Sequence, residues 1–281
     1  MSGGTPPLLV VAYRRNRYIG GRRTSDRMTD DVAYEFADAV STISLRRPER
    51  HNAMTPGMWR AVADGVRRAD EDGARAVVLT AEGELFCSGD DIESLAEIDD
   101  DRDARRLADT LADCFDAIER SPVPVVGWAN GSAYGGGFEL LMAADVTVAP
   151  TGATFALPET RIGAIPLYAA KRLSSLVGRQ RASQLALAGR EIDAERAVEW
   201  GLFARAVPES DLEGAVAETV AALKQSSPEA LATTKAWLNA PLRSEAERVG
   251  MRTGLGHLYA GGDAQEGAEA FLEDRDPEFV G

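Results

Sequence analysis

The stretch from Val123 to Ala144 constrains this chain most, because it puts three consecutive glycines between two apolar elements. Val123-Pro124-Val125-Val126-Gly127-Trp128-Ala129 reads as a buried strand, and Phe138-Glu139-Leu140-Leu141-Met142-Ala143-Ala144 reads as the first turns of an apolar helix. Gly135-Gly136-Gly137 therefore stands at a helix N-terminus, where unpaired N–H groups point outward. Glycine lets a ligand approach the backbone closely, so such a turn suits an oxygen carrying negative charge. Taken alone, the triplet is equally served by a plain reading as a tight strand-to-helix connection.

The flanking pattern repeats strand, loop and helix. Val40-Ser41-Thr42-Ile43-Ser44-Leu45 alternates as a strand, residues 58–69 have helical spacing, and Ala76-Val77-Val78-Leu79-Thr80 is a fully apolar strand. Residues 103–118 form a longer amphipathic helix stopped by Pro122 and Pro124, and Val146-Thr147-Val148 is a further strand. The repetition predicts an α/β fold of parallel strands with helices packed outside. Residues 1–30 mix Pro, Gly, Arg and Ser without a sustained period and read as an irregular N-terminal extension. Residues 31–225 form the core, and residues 226–281 a helical tail.

Composition excludes several functions. The net charge is −14, and residues 1–27 hold six arginines against one acid, so the rest of the chain is more acidic still. A nucleic-acid backbone would meet a repelling surface. Only Lys171, Lys224 and Lys235 stand beside 28 arginines, and acidic runs such as Asp99-Asp100-Asp101 recur. This composition resembles that of proteins from salt-accumulating archaea, where dense carboxylates keep a protein hydrated and salt screens their repulsion. No apolar run reaches the roughly 20 residues needed to span a bilayer, so a cytoplasmic protein with no membrane partner is expected. Cys87 and Cys114 are too few for a disulfide framework, and with only His51 and His257 no metal site is expected.

Five segments, in order, carry a resemblance. They are Ile43-Ser44-Leu45-Arg46-Arg47-Pro48-Glu49-Arg50-His51-Asn52-Ala53-Met54; Phe86-Cys87-Ser88-Gly89-Asp90-Asp91-Ile92; and the run from Pro124 through the glycine triplet to Leu140, with Ala144-Asp145. Then come Phe155-Ala156-Leu157-Pro158-Glu159 with Gly163-Ala164-Ile165-Pro166, and last a segment from Asp263 to Phe279. Together they resemble the crotonase superfamily, the enoyl-CoA hydratase/isomerase proteins. The resemblance implies a crotonase-like spiral of ββα units, with a C-terminal helical region that makes homotrimers or dimers of trimers. It implies an acyl-CoA thioester as substrate and no other cofactor. It also implies an oxyanion hole built from the backbone N–H groups of Asp90 and Gly136, each such donor typically supplying about 3 kcal/mol. A carboxylate beside an enolate opposes the charge being stabilised, so the Asp90 side chain is expected to turn to solvent.

Two glutamates, Glu139 and Glu159, match the hydratase pattern. By resemblance they hold the attacking water, Glu139 as base and Glu159 as proton donor to Cα of a 2-trans-enoyl thioester. Each taken singly has an ordinary reading, as a helix first-turn acid and as a loop acid. Contacts to CoA are implied at Arg47, Arg50, His51 and Ser88, against the plain reading of surface arginines. Glu93 and Asp274 stand where some hydratases have lysine, with Arg275 a substitute. After Pro166 the usual glycine-rich run is replaced by Leu167-Tyr168-Ala169-Ala170, which assigns Leu167 and Tyr168 to a reshaped acyl pocket. The rival activities are double-bond isomerisation and a catalytically silent CoA-binding or RNA-associated role. A serine hydrolase is disfavoured, since no Gly-x-Ser-x-Gly elbow appears.

Overall fold

The computed structural model describes residues 24–239 and 263–275. Seven strands form the main sheet: β1 (Thr24–Thr29), β2 (Val32–Ala37), β3 (Val40–Leu45), β4 (Ala76–Ala81), β5 (Val125–Trp128), β7 (Val146–Pro150) and β10 (Arg205–Val207), in that spatial order. The hairpins β1–β2 and β2–β3 are antiparallel, and every pair from β3 to β10 is parallel. A second sheet holds β6 (Ala133–Tyr134), β8 (Thr154–Ala156) and β9 (Ile192–Asp193). The helices are α1 (Pro56–Glu71), α2 (Ile92–Ala96), α3 (Asp101–Arg120), α4 (Gly136–Ala143), α5 (Ala169–Val177), α6 (Arg179–Ala186), α7 (Ala194–Glu199), α8 (Glu209–Gln225), α9 (Pro228–Asn239) and α10 (Asp263–Leu272).

Parallel strands need their N–H and C=O groups paired on both sides and both faces covered, and the central β4 accordingly reads as six buried residues in a row. The helices that cover it begin on sequence signals. Thr55 caps α1 by accepting from Met58 N–H, with Pro56 next, and Asp100 caps α3 by accepting from Asp103 N–H. Along α3 the residues Ala104, Leu107, Ala108, Leu111, Phe115 and Ile118 form one buried stripe, packed against α1. Each large side chain so buried contributes about 1.5–3 kcal/mol. Cys87 and Cys114 are both buried thiols.

The expected irregular extension differs from the structure at its end. Residues 24–29 are strand β1, because the exposed edge of β2 offers a row of unpaired N–H and C=O groups that they fill. Residues 1–23 lie outside the described residues, as do residues 240–262 and 276–281 of the tail. The described parts of the tail are α9 and α10, both helical as expected. Among the described residues no helix is long and apolar enough to cross a membrane.

Candidate active site

Two loops meet at the glycine triplet. Gly135 has φ +52° and Gly89 has φ +106°, conformations that L side chains rarely adopt. The approach is close as well, since a Cβ on Gly89 would lie 3.2 Å from Tyr134 O and 3.7 Å from Gly136 N. The ladder that aligns the loops is set by single bonds: Met54 N–H donates to Gly89 O at 2.8 Å, Asp91 N–H to Met54 O at 3.0 Å, and Gly135 N–H to Ala156 O at 3.0 Å. Among the described residues neither Asp90 N–H nor Gly136 N–H finds an acceptor. Gly136 opens α4, where the helix leaves such N–H groups free. Behind the turn lies Cys87, whose Sγ accepts from Gly89 N–H at 3.3 Å and whose thiol burial pushes up to about 12. It is a packing residue.

Glu139 and Glu159 come to the same place. Glu139, in the first turn of α4, is 2% exposed, and Glu159, opening a 3-10 turn after Pro158, is 8% exposed. Glu159 Oε1 lies 3.3 Å from where a Cβ on Gly135 would stand, so the second carboxylate is seated against the glycine turn. The two are differently supported. Helix α5 starts at Tyr168 without a side-chain cap, and the Glu139 carboxylate fills that role from another helix: Ala169 N–H donates to Oε1 at 2.8 Å, with Tyr168 N–H directed at the same group. Neither Glu159 oxygen is bonded to another residue. Burial raises both groups, Glu159 to about 8, and the charge of Glu159 raises Glu139 further.

Asp90 departs from expectation. Its carboxyl does not turn wholly to solvent: the residue is half-buried, and Oδ1 accepts from Trp59 Nε1 at 2.8 Å. The cause is the indole. Trp59 is fully buried on α1, and its N–H needs an acceptor, which this loop supplies. Desolvation raises the carboxyl to about 6, with the charge of Asp91 adding to the rise. Trp59 was not singled out from sequence, since its helical spacing marks it only as core and its partner lies 31 residues away.

The arginines assigned to CoA are occupied within the chain. Arg47 Nη1 meets Asp91 Oδ2 at 2.6 Å and donates to Ala53 O at 3.1 Å, which holds the cap of α2 in place. Arg50 pairs with Glu93 at 2.5 Å on the surface, and Arg275 pairs with Glu266 and Glu273. His51 is exposed at the end of the turn, and its carbonyl accepts from Ser88 N–H at 3.0 Å, so these two are neighbours. Leu167 and Tyr168 are both buried. The Tyr168 hydroxyl donates to Glu119 Oε1 at 2.5 Å, and Arg172 Nε meets the same oxygen at 3.1 Å. Its ring stacks on Phe115, with centroids 4.7 Å apart, so Tyr168 offers its hydroxyl inward to Glu119. Among the described residues no group of three or more His, Cys, Asp or Glu is arranged to hold a metal ion.

The enoyl-CoA hydratase/isomerase family model matches residues 35–281, most of the chain. The chain belongs to the enoyl-CoA hydratase/isomerase family. A probable enoyl-CoA hydratase of Rhodobacter capsulatus is 35% identical over 257 residues, 89% of this chain and 98% of that protein. One of Mycobacterium bovis is 33% identical over 246 residues, 87% and 97% of the two chains. Among solved structures, a putative enoyl-CoA hydratase of Mycobacterium avium paratuberculosis is similar with a TM-score of 0.76 at 32% identity, covering 89% of this chain and 99% of that one. Against this enoyl-CoA hydratase/isomerase background the parallel strands with their helices, the crotonase fold and the described helices of the tail are those expected from sequence, and the antiparallel hairpins of β1–β3 are an addition to them.

Proposed function

We propose that this enzyme adds water reversibly across the double bond of a 2-trans-enoyl-CoA thioester. The observation that carries the reading is the pair of buried carboxylates, Glu139 one turn into α4 and Glu159 against Gly135, where two loops each leave one N–H without an acceptor. Two coupled acids that both resist ionisation share a proton, and the support around them decides where it sits. Burial resists ionisation of both, and the hydrogen bonds separate them: Ala169 N–H favours charge on Glu139, whereas Glu159, bonded to no neighbour, is the group left to carry the proton. Glu139 then takes a proton from water as its oxygen attacks Cβ. The electron pair moves through Cα to the thioester oxygen, which the N–H groups of Asp90 and Gly136 hold as an enolate. Glu159 delivers its proton to Cα, giving the 3-hydroxyacyl thioester.

No cofactor besides the CoA of the substrate enters this scheme. Contacts to CoA fall to Arg50, His51 and Ser88: the exposed Arg50–Glu93 pair is worth little and re-forms easily with phosphate. Arg47 supports them by holding Asp91. Leu167 and the ring of Tyr168 shape the acyl pocket. The reading includes a cytoplasmic location, supported by two free thiols, and a homotrimer or dimer of trimers, supported by apolar side chains exposed on the tail helices.

Hydration of crotonyl-CoA, followed by loss of enoyl absorbance in EDTA-treated buffer, tests the reading. Glu139→Gln and Glu159→Gln are each expected to lower kcat by about 10²–10⁴-fold. Undiminished hydration by both variants would overturn the assigned roles. Migration of the double bond without hydroxyacyl product would favour isomerisation, a reading with its own support in the one carboxylate, Glu159, that no neighbour holds.

A further inference from the structure

Hydration uses only the backbone of Asp90, yet its side chain lies beside the glycine turn. Trp59 Nε1–H donates to Oδ1 at 2.8 Å, so Oδ1 is committed as an acceptor and an acid proton belongs on Oδ2. Oδ2 has no hydrogen-bond partner among the described residues, and it stands 3.4 Å from the place of a Cβ on Gly136. Gly136 N–H and Asp90 N–H are the two backbone donors proposed for the enolate oxygen. The free end of the carboxyl therefore lies beside the residue that carries one of them. We propose that the Asp90 carboxyl, in its neutral form, is a third hydrogen-bond donor to the thioester oxygen. The proposal deepens the acyl-CoA reading and rests on it.

The surroundings favour the neutral form. The charge of Asp91, on the α2 cap, acts against ionisation of Asp90, and negative charges on Asp90 and on Glu139 of α4 or Glu159 of its 3-10 turn oppose one another. The nearby cation, Arg47, is bonded to Asp91, and the Cys87 thiol behind the loop is neutral. Burial raises Asp90 to about 6, and a developing enolate beside it adds another negative charge that retains the proton. A carboxylic acid kept neutral by an apolar site is an established way to donate to an oxyanion in an unrelated ketosteroid isomerase. No proton leaves Asp90 in this role, so the hydration still balances through Glu139 and Glu159.

Asparagine reproduces the neutral acid, accepting from Trp59 through Oδ1 and donating through Nδ2 at every pH. The probe is acetoacetyl-CoA, whose bound enolate is read by its near-ultraviolet absorbance from pH 5 to 9. The parent is expected to hold the enolate below about pH 6 and to weaken as free Asp90 ionises above it. Asp90→Asn is expected to hold it across the range, and Asp90→Ala to bind about ten- to a hundredfold more weakly at low pH. Tighter enolate binding by Asp90→Ala would show an ionised, opposing carboxylate and overturn the proposal. So would the same pH dependence in parent and Asp90→Asn, which is what a purely structural hold on Trp59 gives. Binding without hydration of any enoyl-CoA would sink the proposed reaction and leave this donor role standing. Absence of acetoacetyl-CoA binding by the parent would sink both.

Discussion

Glu159 is a carboxylate that the fold keeps at a cost. It is buried, no neighbour bonds to it, and it is raised from 4.5 to about 8, so the native state binds its proton more tightly than the unfolded chain does. The linked stability is full below pH 4.5 and is lost as the pH rises through about 8. Glu159→Gln removes the titration. Its unfolding free energy in urea is expected to match the parent's at pH 4 and to exceed it by about 2–4 kcal/mol at pH 9. A difference that stays constant with pH would show that Glu159 does not hold a proton in the native state. Stability gained while activity is lost is the usual signature of a site held in strain. At this scale the sequence was legible where residue type and order suffice: the two glutamates and the glycine turns it singled out stand together in the fold. It was illegible for Asp90, because the partner that turns its carboxyl inward is an indole on α1, and no local pattern links the two. It was also illegible for the pairing of Arg47 with Asp91, which no local pattern links.

Elements position these residues from a distance. Helix α10 packs on both α2 and the 3-10 turn that carries Glu159, with Gln265 Nε2–H donating to Ile98 O at 2.9 Å. Gly267 makes the approach possible, since a Cβ there would collide with the backbone carbonyl of Ile162 at the end of that turn. The colliding atoms are backbone, so the turn itself must move to relieve the clash. Gly267→Ala is therefore expected to lower kcat for hydration by about tenfold or more, as a displaced catalytic group does, with KM changed less. Unchanged kcat would show that α10 does not position the turn. The sequence marked Glu266-Gly267 as part of a tail helix but not what it touches, since the contact spans about a hundred residues. Strands were legible by length and burial. The six-residue apolar β4 was plain, whereas β9 and β10, two and three residues long, are defined by their partners in the sheets and carry no period of their own.

In the whole molecule, α9 joins an inward polar seam to an outward apolar face. Inward, Lys235 Nζ meets Asp145 Oδ2 at 2.7 Å and donates to Val123 O at 3.2 Å, and Asn239 Nδ2–H donates to Glu119 O at 2.9 Å. Asp145 also accepts from Val125 N–H, so the seam ends on the strand that leads to the glycine turn. Lys235 is buried and the Asp145 side chain only partly so, and these contacts tie α9 to the core despite its place in the tail. Outward, Trp237 is 76% exposed and Leu238 73%, and on α10 Phe271 is 63% exposed. Large apolar side chains concentrated on the tail helices of an acidic chain mark a surface that another copy can cover. Copies carrying a net charge of −14 repel one another, and salt screens that repulsion while strengthening apolar burial. Sedimentation velocity of the full chain is expected to show trimers or larger multiples that gain population between dilute buffer and molar salt. Trp237→Glu combined with Leu238→Glu is expected to shift the population to monomer at every salt concentration, with the circular dichroism of the helices retained. Monomers of the parent at all salt concentrations would refute the interface. Assembly unaffected by the double variant would move it away from α9.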